Sequence, residues 1–467
     1  MGEIYEKHNE LVSLLSQQIK TLHRRGKKVQ IFHGSTNSTR PQNFDSNETI
    51  DVSGLKQVLS VNSEGLFAVV EPNVPFDIFV REILKYGLIP EVVPEFPGIT
   101  IGGAVQGGSG ESSSFKYGLV HDTCIEFELI LGNGEVVLVS RLNHPNLFWA
   151  SVCSYGTLGV VTMLKIRLMK AKKYVKVTYL PTASNEETLM LIKEKSLAEI
   201  EYLDGIIISR TSGLVMTGVL SDDENLPVAR FRKAYQPWFY LHAKEIRTKN
   251  QRYEELIPIE DYFFRYDRGA FWVGIFGFGI LHVPNIWLTR FIFNWLFTTR
   301  TLYRFLHATN ASAQYFAQDI CVPIEKTSEF IARTDQILGA YPLWLCPVRP
   351  GTKDRLSPAC LLSNLVINVG IWTKYQVDSP KFINTNRKFE QITSELGGRK
   401  VLYAHSYYTE EEFWMVYERG WYDGARKEFQ ADESFPSIFD KVIVRKAIKA
   451  SRVTGLIGLL RSPYRIK

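Results

Sequence analysis

Glycine and small hydroxyl residues are concentrated in one stretch of the first third of the chain. Residues 97–118 read PGITIGGAVQGGSGESSSFKYG, with seven glycines and three consecutive serines. Glycine lets a main chain approach a flat ligand closely, and backbone amides and hydroxyl groups can then donate hydrogen bonds to its phosphates. A flexible linker is also rich in glycine and serine, but it would not place Ile99, Ile101 and Val105 in helix-compatible order. The stretch therefore predicts a loop that wraps a phosphate-bearing cofactor.

Two shorter segments have the composition of further ligand loops. Apolar residues 29–32 lead into the polar turn HGSTNSTR at 33–40, and GTLGVVT at 156–162 is a tight turn that feeds a strand. Each is a weak signal alone, because polar turns and hairpins are common. The long stretch is neither a Rossmann GxGxxG turn nor a Walker loop, since it lacks the flanking strand and helix of the one and the Gly-Lys-Ser/Thr of the other.

Together the three segments predict a set of cofactor-binding residues that is mostly glycine, serine and threonine. The set is Gly34, Ser35, Thr36, Asn37, Ser38, Gly98, Thr100, Ile101, Gly102, Gly103, Gly107, Gly108, Ser109, Gly110, Ser112, Ser113, Tyr117, Gly118, Gly159, Val160 and Val161.

The composition is that of a folded protein with two or three domains. The chain has 467 residues, of which 45% are hydrophobic and 22% are charged, with a formal net charge of +6. The basic residues form short clusters and no stripe with interleaved aromatics, which argues against a nucleic-acid partner. Five cysteines without a CxxC pair indicate neither a disulfide framework nor a zinc site, so no metal is expected.

An α+β arrangement of many short strands is expected to hold these loops. Residues 3–25 have apolar residues at helical spacing, and residues 125–139 form two alternating runs about an Asn-Gly turn, a strong hairpin signal. Further strands are expected at 66–71 and 159–168. The character of the sequence changes near residue 174, beyond which aromatic residues become dense, and we place the main domain boundary there.

Two segments have the composition of membrane-contacting elements. Residues 270–288 are apolar over a length that could span a bilayer, but three glycines and Pro284 favour a buried or membrane-dipping segment instead. Residues 450–467 combine apolar and basic residues, as an interfacial helix does, or they form a tail that packs on the protein body. The sequence leaves both alternatives open.

The order and spacing of the three loops resemble the vanillyl-alcohol-oxidase type (PCMH type) of FAD-binding domain, in which two loops enclose the diphosphate and a third covers part of the ring system. Six further motifs, spread over residues 30–445, are similar to the delta(24)-sterol reductase, or Diminuto-like, family. They are GESSSFKYGLV (110–120), AKKYVKVTYLP (171–181), VMTGV (215–219), YQPWFY (235–240), YPLWLCP (341–347) and LYAHSYYTEEEFW (402–414).

The resemblance implies a domain order and a reaction. It implies a two-subdomain FAD-binding domain at 1–173, a mixed α/β substrate or cap domain at 174–400, and a segment at 401–467 that returns to the FAD domain. It also implies reduction of an isolated side-chain double bond in a sterol or related terpenoid, with FAD as cofactor and NADPH as reductant. The expected location is the endoplasmic reticulum membrane, with the catalytic domain facing the cytoplasm.

The chain departs from the family pattern at three points. The N-terminal membrane helix of the animal and plant enzymes is not seen before the FAD domain, Phe115 replaces a common histidine, and His405 replaces a common aspartate. Ser35 and Thr36 occupy the positions where a flavin-attaching histidine often stands, so the FAD is expected to be non-covalent. The exact substrate, the NADPH-binding surface and the oligomeric state are not fixed by the sequence.

Reduction of an isolated alkene needs a general acid, because no carbonyl polarises the double bond. Five residues are candidates for this acid: Tyr407, His405, Tyr403, Glu111 and Tyr117. We favour the segment 403–407, since in similar folds the C-terminal part faces the flavin, and we expect the aromatic segments 235–240 and 270–297 to form the walls of an apolar tunnel. Two alternatives stay open, an oxidase or dehydrogenase of a lipophilic alcohol or a natural-product intermediate, and a non-catalytic flavin- or sterol-binding protein.

Overall fold

The computed structural model describes residues 2–34, 37–40, 44–309, 311–375 and 377–445. Both helices and antiparallel sheets are present, which confirms the predicted α+β class. The predicted tail at 450–467 and the positions Ser35 and Thr36 lie outside the described residues.

The first sheet holds the glycine-rich loops at the ends of its strands. Its order is β3-β4-β8-β6-β7, with β5 paired to β8, and β1 and β2 form a separate parallel pair. The predicted helix at 3–25 and the predicted hairpin at 125–139 are confirmed as α1 and as β6–β7. The elements are α1 (Gly2–Arg24), β1 (Gln30–Phe32), β2 (Thr49–Asp51), β3 (Val58–Asn62), β4 (Phe67–Val70), α2 (Phe76–Leu84), β5 (Leu88–Pro90), α3 (Ile101–Gly107), α4 (Ser114–Tyr117), β6 (Cys124–Ile130), β7 (Val136–Ser140), α5 (Pro145–Ser151) and β8 (Val160–Lys170).

The second sheet has eight strands in the order β12-β9-β11-β10-β14-β15-β13-β16, and every neighbouring pair is antiparallel. Its elements are β9 (Tyr174–Thr182), α6 (Asn185–Lys195), β10 (Tyr202–Ser209), β11 (Ser212–Ser221), α7 (Phe239–Lys249), β12 (Tyr253–Pro258), α8 (Ile259–Phe263), α9 (Gly274–Leu281), α10 (Trp287–Ile292), α11 (Thr299–Thr309), β13 (Tyr315–Pro323), α12 (Ile324–Leu338), β14 (Leu343–Val348), β15 (Val366–Lys374), α13 (Ser379–Glu395) and β16 (Arg399–Lys400).

The two faces of the second sheet have different partners. Ile320 and Val322 of β13 pack with Phe330 of α12 and Phe389 of α13 in one buried cluster. Successive side chains of a strand point to opposite faces, so Asp319 and its alternate neighbours point away from these helices. This parity decides which residues of the sheet can reach a ligand.

The C-terminal segment packs against the first domain. It forms α14 (Glu410–Val416), α15 (Arg419–Glu428) and α16 (Ile438–Val442). Side chains of α15 and α16 share a buried cluster with those of α1. Two hydrogen bonds fix the contact: the Ser434 hydroxyl donates to the Gly132 carbonyl at 2.8 Å, and the Tyr422 hydroxyl donates to Thr157 Oγ1 at 2.8 Å.

The apolar segment 270–288 does not form one continuous helix. Helix α9 ends at Leu281, His282 adopts a left-handed backbone conformation with φ 54°, and α10 begins at Trp287. In the part of the chain that the structure describes, every helix is too short or too polar to cross a bilayer.

A buried ion-pair cluster fastens α1 to the first sheet. His8 Nδ1 lies 2.8 Å from Glu71 Oε1, and His8 Nε2 lies 3.3 Å from Glu128 Oε1. Burial lowers the pKa of His8, but the hydrogen bonds and charges of Glu128 and Glu71 outweigh it and raise that pKa to about 9. The charged imidazole is therefore part of the folded state at neutral pH.

We expect the His8 cluster to make stability depend on pH. The pKa of His8 is about 9 in the folded protein and 6.5 in its ordinary state. Protonated His8 therefore contributes fully to the free energy of unfolding below pH 6.5, and this contribution is lost as the pH rises to about 9. Its size is on the order of 3 kcal/mol of unfolding free energy. Denaturant unfolding at several pH values should show this loss in the wild type but not in His8→Gln, whereas substitution of the exposed His144 by Asn should leave it in place. An equal pH dependence in His8→Gln would contradict the assignment.

Candidate active site

A cavity of about 710 Å³ lies between the loops of the first sheet and one face of the second sheet. This volume is within the range of about 300–1,000 Å³ that is usual for ligand pockets. All three predicted loops contribute to its wall, and so do residues from the second sheet, from α9 and α11, and from the C-terminal segment. The cavity thus has a glycine-rich part and an aromatic part.

The predicted cofactor-binding residues divide into those that line the cavity and those that do not. The lining residues are Asn37, Ser38, Gly98, Thr100, Gly102, Gly103, Gly107, Gly108, Ser109, Gly110, Gly159, Val160 and Val161. Gly34, Ile101, Ser112, Ser113, Tyr117 and Gly118 are described but are not part of the wall. Ile101 is buried in the apolar core, and the Ser113 hydroxyl donates to the Glu91 carbonyl at 2.8 Å, so both side chains have partners in the protein itself.

Packing within the protein requires some of the glycines in the 97–118 loop but not all of them. A Cβ on Gly102 would lie 2.5 Å from Cβ of Pro72, and a Cβ on Gly108 would lie 3.0 Å from Sγ of Cys153. These two glycines are required by packing within the protein. At Gly107, which lines the cavity, a Cβ would make an ordinary van der Waals contact of 3.9 Å with Cε1 of Tyr155, so packing within the protein does not require a glycine there.

Positive charge collects where the C-terminal segment meets the first loop. Lys441 and Arg40 line the cavity, and among the described residues neither has a carboxylate partner. Burial, together with the charge of Arg40, lowers the pKa of Lys441 to about 8, and burial lowers that of Arg40 to about 10. His33 beside them has its pKa lowered to about 4 by burial and by Lys441. An anion such as a diphosphate would supply the counter-charge that these cations lack.

Aromatic side chains enclose the other part of the cavity. The Phe271 ring stacks on Trp372 with centroids 4.5 Å apart and lies 5.2 Å from Trp344. Phe96 packs edge-on against Phe271 and against Tyr303. Such a chamber suits a large apolar ligand, because aromatic walls bury much surface with few rotamers to fix.

One buried polar network crosses this chamber. Tyr403 Oη donates to Asp319 Oδ2 at 2.5 Å, Asn368 Nδ2 donates to Asp319 Oδ1 at 2.9 Å, and Trp372 Nε1 donates to Tyr403 Oη at 3.2 Å. All four residues line the cavity. Burial raises the pKa of Asp319 to about 6, against the opposing hydrogen bonds, and burial with the charge of Asp319 raises that of Tyr403 well above 10.

Glu95 is a second carboxyl group on the cavity wall. Among the described residues its carboxylate accepts a hydrogen bond only from its own backbone amide. Burial, and then the charges of Glu111 and Asp319, raise its pKa to about 8. At neutral pH Glu95 therefore carries a proton, and Asp319 is the more acidic of the two groups.

Of the five predicted acid candidates, Tyr403 lines the cavity and the other four do not. Glu111 is buried in an ion pair with Arg265, at 2.7 Å. His405 is buried behind the wall, where burial and the charges of Lys400 and Arg40 lower its pKa to about 3. Tyr407 stacks on His405, and Tyr117 is the half-buried last residue of α4.

Sequence reasoning missed Glu95, Asp319, Arg40 and Lys441. A signal existed for Asp319, because an acid in the mostly apolar strand segment AQDICVP needs a buried partner. Glu95 precedes the glycine-rich stretch directly, in PEFPG, and could have been included with it. Lys441 carries no such signal, since it reaches the cavity only through the return of the C-terminal segment.

Within the described part of the chain, one group of potential metal ligands comes together, at His121, Asp122 and Asp354. His121 Nε2 lies 2.8 Å from Asp354 Oδ2, and Nδ1 lies 3.5 Å from Cys153 Sγ. Burial lowers the pKa of His121, but the neighbouring Cys153 and Asp122 and the hydrogen bond to Asp354 raise it well above 6.5. His121 Nε2 and the Asp354 carboxylate already pair with each other, so we interpret the cluster as a buried ion pair, and the absence of a metal stays a prediction.

Residues 12–140 match the family model described as an FAD binding domain. The cavity fits an FAD diphosphate as well, because glycines of the loop line it and, among the described residues, Arg40 and Lys441 on its wall have no carboxylate partner. The protein is therefore an FAD-dependent oxidoreductase of the class with this binding domain.

Over most of its length the chain is a homologue of the delta(24)-sterol reductases. It is 28% identical to the Delta(24)-sterol reductase of Mus musculus and 27% identical to that of Homo sapiens, in each case over 93% of this chain and 86% of the relative. The Arabidopsis thaliana Delta(24)-sterol reductase is 27% identical over 84% of this chain and 76% of the relative. Cytokinin dehydrogenase 1 of the same plant is 27% identical over 39% of this chain and 34% of the relative. The resemblance inferred from the six motifs is confirmed.

We expect Lys441 to contribute to FAD affinity through its charge. Lys441→Met should weaken FAD binding to the apoprotein by about tenfold, since a charge-assisted contact to a phosphate is lost, and Lys441→Arg should retain most of it. Quenching of flavin fluorescence on titration gives the dissociation constants. Circular dichroism of each variant separates this loss from misfolding. An unchanged dissociation constant in Lys441→Met would remove the residue from the cofactor site.

Proposed function

We propose that this protein reduces an isolated carbon–carbon double bond, a CH–CH reaction, in the side chain of a sterol or related terpenoid. The observation that carries the proposal is one cavity that joins the FAD loops to an aromatic chamber with two carboxyl groups. The names of the relatives support the substrate class. We further propose NADPH as the reductant and a non-covalently bound FAD, both of which follow from the family resemblance.

The aromatic chamber accounts for selection of an apolar substrate. Trp344, Trp372 and Phe271 offer flat apolar walls. Among the described residues that line the cavity, the arginine and the lysine are Arg40 and Lys441, which lie where the C-terminal segment meets the first loop. Burial of a sterol body contributes roughly 25 cal/mol for each Å² of apolar surface removed from water. A polar substrate of the same size would lose its hydration against these aromatic rings without replacement hydrogen bonds from them.

FAD, when bound, supplies hydride chemistry, and the protein must supply the proton and the positioning. We propose Glu95 as the proton donor to the alkene. If Tyr403 donated instead, the tyrosinate would lie 2.5 Å from the Asp319 carboxylate, and two adjacent negative charges in a dry cavity are strongly unfavourable. Glu95 is protonated at neutral pH and has no competing side-chain acceptor among the described residues.

Asp319 and Tyr403 then have a positioning role. The Tyr403 hydroxyl is held between the Trp372 indole and the Asp319 carboxylate, so its ring orientation is fixed. A fixed ring on the cavity wall restricts where an apolar substrate can lie. Correct placement of the alkene contributes to the rate of the reaction as the acid does.

A dehydrogenase or oxidase of a lipophilic alcohol is the second candidate, because the same cavity would hold such a substrate and Asp319 could accept a proton. Anaerobic stopped-flow absorbance separates the two. Bleaching of the flavin by NADPH, followed by its return when desmosterol is added, supports the reductase. Bleaching by an alcohol with fast reoxidation by oxygen supports the oxidase, and no redox response in either case would leave a non-catalytic binding protein.

We propose that the protein works at the endoplasmic reticulum membrane with its catalytic domain on the cytoplasmic side. This location follows from the expected substrate, which partitions into bilayers, and from the family resemblance. Fluorescence microscopy of the tagged full chain together with protease protection of isolated microsomes tests it. Protection of the whole chain from added protease, or a cytosolic distribution, would contradict the location without touching the chemistry.

We expect Glu95→Gln to lower alkene turnover by about 10²–10⁴-fold, the usual contribution of a general acid, while FAD content stays normal. In the wild type, turnover should fall as the pH rises through about 8, since the acid loses its proton there. Steady-state rates across pH with detergent-dispersed substrate provide the measurement.

Tyr403→Phe is the matched control for Glu95→Gln. It removes one hydroxyl from the same cavity wall, so it should raise KM more than it lowers kcat and should keep the fall near pH 8. Wild-type turnover in Glu95→Gln would contradict the role of Glu95 as proton donor. Loss of the pH dependence in Tyr403→Phe would assign that role to Tyr403 instead.

A further inference from the structure

The chain between β12 and β13 has an unusual charge pattern. Residues 268–309 contain four arginines and no aspartate or glutamate. Arg268 is buried among backbone carbonyls, and Arg300 pairs with Asp77. Arg304 is exposed and Arg290 is half-buried against Asn285, and no acid of the same segment opposes either of them.

Six large apolar side chains are exposed within ten residues of the same segment. Their exposed fractions are Ile286 49%, Trp287 54%, Leu288 51%, Phe291 43%, Ile292 53% and Trp295 62%. We call these six residues the α10 face. Elsewhere, strongly exposed apolar residues such as Leu142 and Leu362 occur singly along the chain. A contiguous apolar surface of this kind marks a contact with a partner or a membrane.

Further interfacial residues lie next to the α10 face. Trp287 Nε1 donates to the Tyr235 carbonyl at 3.2 Å, which brings the loop with Lys233 and the exposed Tyr235 beside α10. Arg290 is anchored through Asn285 Oδ1 at 2.7 Å. Tryptophan and tyrosine beside lysine and arginine form the composition that binds the interface of an anionic bilayer.

The segment that carries the α10 face also forms part of the cavity wall. Gly274 and Gly277 of α9, and Leu302 and Leu306 of α11, line the cavity on either side of α10. Phe297, just after the face, stacks on Phe278 of α9 with ring centroids 4.5 Å apart. The exposed face and the cavity wall are therefore two sides of one packed unit.

We propose that the α10 face docks on the surface of an anionic bilayer, so that a lipid substrate passes from the membrane to the cavity beside α9 and α11. The identification of the substrate as a lipid rests on the proposed function, but the docking of the α10 face on a bilayer does not. A second copy of the chain is a poorer occupant, because a twofold contact through this face would bring two Arg290 side chains together without an acid between them.

The test is co-sedimentation of the purified full-length holoprotein with vesicles of phosphatidylcholine, with and without phosphatidylserine. Wild-type protein should bind the phosphatidylserine vesicles, and the double variant Trp287→Gln/Phe291→Gln should bind at least about tenfold more weakly. Arg290→Gln should reduce the difference between the two vesicle types. The control variant Leu142→Gln/Leu362→Gln, which removes two exposed leucines outside the face, should bind like the wild type.

Turnover of detergent-dispersed sterol by the double variant keeps this proposal separate from the proposed function. Normal turnover with lost vesicle binding supports docking. Wild-type protein that binds neither vesicle type, or a double variant that binds as tightly as the wild type, would overturn docking, whatever the turnover. A wild type that sediments as a dimer and a double variant that sediments as a monomer, without vesicle binding by either, would assign the face to self-association.

Discussion

The glycine-rich part of the cavity depends on two cations, Arg40 and Lys441, that have no carboxylate partner among the described residues. Arg40 and Lys441 arrive from opposite ends of the chain, and their lowered pKa values express the free energy of holding charge without a partner. An anion in the cavity would favour this arrangement, because it would supply the missing counter-charge. The arrangement requires α15 and α16 to pack on the first domain, because Lys441 could not otherwise reach the loop that carries Arg40.

The aromatic part of the cavity contains acids in place of cations. Two carboxyl groups lie there in an apolar chamber, and they have different pKa values because they accept different hydrogen bonds. Asp319 accepts from Tyr403 and Asn368, which favours its charged form, while Glu95 has its own amide alone among the described residues. One carboxyl group can therefore be neutral while the other is ionised, an arrangement that suits proton delivery in a site closed to water.

Much of the fold followed from sequence patterns, because these patterns are local. The helical spacing of α1, the Asn-Gly hairpin of β6–β7 and the glycine-rich loop each depend on neighbouring residues. Packing against Pro72 and Cys153 requires Gly102 and Gly108, so the expectation that these glycines make space for a ligand explains the loop only in part, and its cofactor role stays a prediction. A sequence does not show which atoms will stand opposite a glycine.

The candidate site was less predictable, because it is assembled from distant segments. Tyr403 was expected at the site, but its partner Asp319 comes from another strand and faces the cavity through the parity of β13. His405 and Tyr407 are close to Tyr403 in sequence, yet the chain turns after Ala404 and carries them behind the wall. The sequence therefore indicated the segment 403–407, but it did not indicate which side chains of that segment point into the cavity.

The most direct test of the charge argument is calorimetric titration of apoprotein with FAD at a pH just above 8, in buffers of different ionisation enthalpy. If the diphosphate supplies the missing counter-charge, the pKa of Lys441 rises on binding, and the wild type should take up a proton, up to about one for each FAD. Lys441→Met should take up fewer. Proton uptake that is zero in the wild type, or equal in the two proteins, would contradict the account.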